Sequence, residues 1–123
     1  MNHPEMFDDD LSYSQTTSDN RILQRKLENS IEKYFGQACD SHIKLLLSKC
    51  EWYITINAKA IVLTIECPDP ITNWHILQNL VKIGSVLENL ESAKIRVCPP
   101  PATGTPFEMR VKEIFVYRES LSS

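Results

Sequence analysis

Between Lys94 and Arg118 five cations (Lys94, Arg96, Arg110, Lys112 and Arg118) face only Glu108 and Glu113, a local surplus of five minus two. The chain as a whole is acidic, with 13 Lys+Arg against 16 Asp+Glu. Lys94-Ile95-Arg96-Val97-Cys98 and the run from Phe107 to Arg118 alternate in polarity, and most of their cations take the positions opposite the apolar ones. Such alternation marks a half-buried strand, so the cations gather on the wet face of a sheet. A guanidinium grips phosphate in bidentate fashion or the O6/N7 edge of guanine, and its plane stacks on a base. Tyr53, outward between Trp52 and Ile54, offers a flat platform for the same base. Arg96, Arg110, Lys94, Lys112 and Tyr53, with Phe115 and Tyr117 further on, form the leading candidate site, suited to an anionic, flat ligand. A solvated sheet face, or one covered by a partner subunit, is the competing reading.

Two further places can hold an anion. Arg21 and Arg25 are four apart at the start of a helix, so both guanidinium groups share a face and can clasp one phosphate. The turn at Asp69–Asn73 opens a second helix with free N–H groups, although Asp69 itself fills the cap. Both patterns are common on helix surfaces. Catalysis has little support: His3, His42 and His75 have no nucleophile at a recognisable spacing, and three glycines cannot build a phosphate-cradling loop. Of the cysteines (Cys39, Cys50, Cys67, Cys98) only Cys39 lies near a histidine, His42, so reduced thiols are expected and a metal site is not. No apolar run approaches a membrane span, and no basic flank with an apolar stretch marks a secretory signal. The expectation is a cytoplasmic protein.

The elements that must position these residues follow from periodicity. Residues 1–17 are acidic and hydroxyl-rich, with Asp8, Asp9 and Asp10 and no Lys or Arg. They are expected to be a disordered tail, with Met6, Phe7, Leu11 and Tyr13 as its only anchors. Residues 18–119 form one domain, and 120–123 a disordered end. Leu23, Leu27, Ile31, Tyr34 and Phe35 predict a helix buried on that side, with Arg25, Lys26, Glu28, Glu32 and Lys33 on the wet side and Gly36 as its stop. Residues 40–49 hold a short apolar run that fits helix or strand. Two β-branched runs, 51–57 and 60–66, read as a hairpin. Asp69 and Pro70 start a helix over about 70–92 with an unusually broad apolar stripe. Strands at 94–98 and 107–118 follow, with a bulge near Val111–Glu113 where the alternation shifts by one. The fold class is α+β: a four-stranded, mainly antiparallel sheet of two hairpins with helices packed on one face.

The stretch Ile65-Glu66-Cys67-Pro68-Asp69-Pro70-Ile71-Thr72-Asn73-Trp74, with Ala93-Lys94-Ile95-Arg96-Val97 and the run from Phe107 to Arg118, resembles a small, single-domain protein family of cyanobacteria. The resemblance covers roughly residues 18–118. It implies binding of the second messenger cyclic di-GMP, control of cell size and a signal passed to a transcription factor. Arg21 to Arg25 matches the first motif of PilZ-type receptors, but no D/N-x-S-x-x-G follows on a strand, which argues against PilZ membership. The expected function is therefore a non-enzymatic regulatory module that binds cyclic di-GMP, without a cofactor, as a homodimer whose two-fold suits a two-fold ligand. The alternatives are a protein–protein adaptor and an RNA-binding sheet. The acidic balance argues mildly against the last.

Overall fold

The computed structural model describes residues 2–57, 60–90 and 92–114, with the side chains of residues 2–19 outside the description. The hairpin forms as the alternation requires. β1 (Glu51–Asn57) and β2 (Ala60–Glu66) pair antiparallel from Glu51 opposite Glu66 to Asn57 opposite Ala60. β2 pairs in parallel with β3 (Ala93–Cys98), and β3 pairs antiparallel with β4 (Phe107–Arg110), so the sheet order is β1-β2-β3-β4. The parallel step needs a crossover, which α3 (Pro70–Gln78) and α4 (Leu80–Val86) supply. The result is an α+β fold on a mixed, mostly antiparallel four-stranded sheet, as the sequence predicts.

One face of that sheet carries the core. Ile54, Leu63, Ile65, Ile95 and Val97 are sealed from solvent together with Phe35, Ile76, Ile83 and Leu87 from the helices. α2 (Ser41–Leu47) settles the 40–49 run as helix, capped by Asp40, whose side chain accepts from Ile43 N at 2.8 Å. Asp69 caps α3 as predicted, accepting from the Thr72 N–H at 2.7 Å and its hydroxyl at 3.1 Å, with Pro70 in the first turn.

Three expectations are corrected. The helix over 70–92 is two helices, because Asn79 breaks it. Its side-chain amide donates to His75 O at 2.8 Å and its backbone N–H to Ile76 O at 3.0 Å, a local bonding pattern that competes with helix continuation. The broad stripe is thereby divided: Ile76, Ile83 and Leu87 are buried while Ile71 and Trp74 stand exposed. The strand from Phe107 stops at Arg110, and residues 111–114 make a helical turn. Val111 and Ile114, three apart, are both buried, so the shift in alternation is a change of period and not a bulge. Phe115 and Tyr117 lie outside the described residues, as do Arg118 and residues 120–123.

The third correction concerns α1 (Asn2–Ala38). Helix continues past Gly36 to Ala38. Leu23 and Leu27, expected inside, are 62% and 53% exposed, whereas Glu28, expected outside, is 6% exposed beside buried Ile31, Phe35 and Cys39. The reason is the sheet edge. Glu28 accepts from Ile56 N at 2.8 Å and Glu32 from Ile54 N at 2.9 Å. Four residues of helix advance about 6 Å and two residues of strand about 6.7 Å, so acids at i and i+4 match alternate N–H groups along β1. An unsatisfied buried N–H costs about 1–3 kcal/mol, so the two carboxylates help fix which face of α1 turns to the sheet edge.

Candidate functional site

The sheet face opposite the core carries its side chains in register across all four strands. Tyr53, Thr64, Arg96 and Glu108 form one row, and Thr55, Val62, Lys94 and Arg110 the next. Residues of one such row neighbour each other at about 4.5–5.5 Å between Cβ atoms, so Lys94, Arg96 and Arg110 share this face as expected, whereas Lys112 lies in the turn after β4.

At the second row lies a cleft of about 760 Å³. Val62 and Lys94 lie on its sheet side, Arg110 and Lys112 come from β4 and the turn behind it, and Glu88 and Glu108 are its acids. Ser92, in the left-handed conformation at φ 56°, turns the chain into β3 at the cleft, and its carbonyl accepts from Ile61 N at 3.1 Å. Three of the five predicted residues, Lys94, Arg110 and Lys112, are thus brought together. Arg96 and Tyr53 belong to the neighbouring row and do not line the cleft.

The cleft is less basic than the sequence run implies. Its three cations face two carboxylates, a surplus of one. Arg110 is also engaged, because Glu113 Oε1 accepts from its backbone N–H at 3.1 Å and from its Nε at 3.3 Å. Those bonds, the backbone one foremost, hold the Glu113 carboxyl below its ordinary range. Among the described residues the ion pairs are Arg110–Glu113 and Arg25–Glu28, so Lys94, Lys112 and Arg96 are in neither. Tyr53 donates its hydroxyl to Glu66 Oε2 at 3.0 Å, and that bond, more than burial, pushes its phenol up. Arg96 stands directly opposite Glu108 across the β3–β4 pair. Glu88 and Ser92 are among the lining residues the sequence reading missed, since they belong to the segment after α4, which the parallel pairing of β3 returns to the sheet. Glu108 was legible only as a counter-charge.

The other candidates do not join this site. Arg21 and Arg25 are exposed on α1 and outside the cleft lining, and Arg25 is held by Glu28 at 3.4 Å. Asp69 occupies the α3 cap, where the Thr72 N–H foremost keeps its carboxyl below the usual value. All four cysteines are free. Burial foremost pushes the Cys39 thiol up to about 11 and Cys67 to about 12. Such thiols are poor nucleophiles. Among the described residues no group of three or more His, Cys, Asp or Glu is placed to hold a metal ion, and no helix is long and apolar enough to cross a membrane. Comparison with family models, curated proteins and solved structures finds no match for this chain.

Proposed function

We propose that the open sheet face binds a nucleotide second messenger, with cyclic di-GMP as the ligand, and that the protein is a regulatory module that passes the signal to a protein partner such as a transcription factor. The observation that carries this reading is the convergence of Lys94, Arg110 and Lys112 on one cleft of about 760 Å³, within the 300–1,000 Å³ typical of small-molecule sites. Lys94 and Lys112 supply charge for phosphate as point cations, and Arg110 can turn its fork toward a phosphate when it leaves Glu113. Glu88 and Glu108 accept hydrogen bonds from N–H groups on a base edge, a use for acids that a purely anionic ligand would not have. Val62 gives the base an apolar floor. The choice of cyclic di-GMP among nucleotides comes from the cyanobacterial resemblance and not from the cleft.

Calorimetric titration against cyclic dinucleotides, mononucleotides and short single-stranded RNA tests this reading. The expected result is micromolar or tighter binding of cyclic di-GMP with the ligand recovered intact. A folded sample that gives no heat with any nucleotide rejects the site. Preference for RNA with a steep salt dependence transfers the face to the RNA-binding alternative.

A further inference from the structure

Three large apolar side chains of α2 and α3 stand in water. Leu45 of α2 and Ile71 and Trp74 of α3 are 63%, 69% and 60% exposed. Single exposed apolar residues are ordinary, whereas a cluster marks an interaction surface. A groove of about 370 Å³ runs between α2 and α3 and includes His42, Leu45, Lys49, His75 and Gln78 in its lining. On α3, Ile71, His75 and Gln78 follow i, i+4, i+7 and Trp74 stands beside them, so the exposed pair adjoins the groove. The lining contains Lys49 and two histidines but no Asp or Glu. Asp69, at the start of α3, is turned to Thr72. An apolar groove with a basic rim fits an acidic amphipathic helix that presents i, i+4, i+7 anchors.

The chain carries an acidic helix with a pair of apolar residues at i, i+4. α1 begins at Asn2, and the first described side chain on it to reach the sheet is Gln24, whose amide donates to Ile56 O at 3.1 Å. The helix ahead of Gln24 extends roughly 33 Å at 1.5 Å per residue, and a continuous helix cannot double back onto its own domain. In its sequence Phe7 and Leu11 are four apart and Met6 and Tyr13 seven apart, among Glu5, Asp8, Asp9 and Asp10, with no Lys or Arg before Arg21.

We propose that residues 6–13 of one copy dock in the α2–α3 groove of a second copy, and reciprocally, as an arm-exchanged two-fold dimer. The apolar Phe7 and Leu11 complement Leu45, Ile71 and Trp74 in chemistry, and the acids Asp8 to Asp10 complement Lys49. Light scattering on the full chain across a concentration series is the test. The expected mass is twice the 14.1 kDa of one chain, and raised salt weakens the dimer. Phe7→Ser with Leu11→Ser, and separately Trp74→Ser, should each raise the dimer Kd at least tenfold, with far-UV circular dichroism and melting unchanged. A labelled peptide of residues 2–17 should bind the Phe7→Ser/Leu11→Ser protein and lose that binding when Trp74→Ser is added. A monomeric native chain, or a dimer that survives either substitution, overturns the proposal. Failure of the peptide to bind removes the arm as the occupant.

Discussion

Glu28 is an acid inside a protein whose leucines on the same helix are wet. Its carboxylate is useful there because β1 is the edge strand among the described residues, so Ile56 N–H takes its acceptor from the helix. Glu28→Gln keeps an acceptor oxygen at that place, so its melting temperature should fall little. Glu28→Leu matches the hydrophobic pattern better yet orphans the N–H, and should cost about 1–3 kcal/mol in a urea titration; equal stability of the two variants would refute the edge role. The thiols of Cys39 and Cys67 carry a pH prediction. Their folded values lie above the ordinary 9.0, at about 11 and about 12, so the unfolded chain releases these protons first as pH rises. Their contribution to stability is therefore complete below about 9 and declines from there toward 11–12. Denaturant midpoints at pH 8 to 11 should show a shallower decline in Cys39→Ala/Cys67→Ala than in the native chain. In the cleft, Lys94→Ala or Arg110→Ala should weaken cyclic di-GMP by about 10- to 150-fold, equivalent to about 1.5–3 kcal/mol. Arg96→Ala should weaken it less, and Arg21→Ala and Arg25→Ala hardly at all. Titration of the variants in parallel checks the order, and its inversion moves the site.

Elements were legible wherever one period held throughout. The β1–β2 hairpin, the Asp69-Pro70 helix start and the inward Ile95 and Val97 all read correctly, because neighbours on both sides of the strand or helix answered to a single apolar face. α1 misled because Leu23, Leu27 and Tyr34 make a convincing helical stripe, while periodicity treats every carboxylate as wet and cannot see a strand edge in need of acceptors. β4 misled because Val111 and Ile114 belong to a helical turn that starts mid-run. Of the site, the shared outward face was readable from alternation; the selection of Lys94, Arg110 and Lys112 over Arg96 and Tyr53 depends on where the chain after α4 returns, which no local pattern encodes. Gly36 illustrates the same blindness. It lies within α1, no glycine here has positive φ, and an added Cβ would meet the Trp52 ring at 3.8 Å, an ordinary contact. Gly36→Ala should therefore stabilise the protein by about 0.4–1 kcal/mol, read as a higher melting temperature. Destabilisation would mean that the Trp52 contact, against Phe35 at 5.2 Å between ring centroids, is tighter than the geometry indicates.

At the scale of the whole molecule, the parallel pairing of β2 with β3 sets an order in time. β1 and β2 are joined by a two-residue connection and can zip locally, but β3 reaches β2 only after the intervening 26 residues between Glu66 and Ala93 have folded into the crossover. Non-local strand pairing of this kind closes late, since loop entropy must be met before its contacts form. The cleft needs β2, β3, β4 and the segment after α4 at once, so it is among the last places to exist during folding. Pulse-labelled hydrogen exchange should protect the Tyr53 and Thr55 amides before those of Lys94 and Arg96, which face β2 from β3; simultaneous protection would refute this order. A ligand seated there would grip the part of the molecule that comes apart first. Its presence should then appear chiefly as a slower unfolding rate, so that a bound ligand would act as a clock on the lifetime of the folded state.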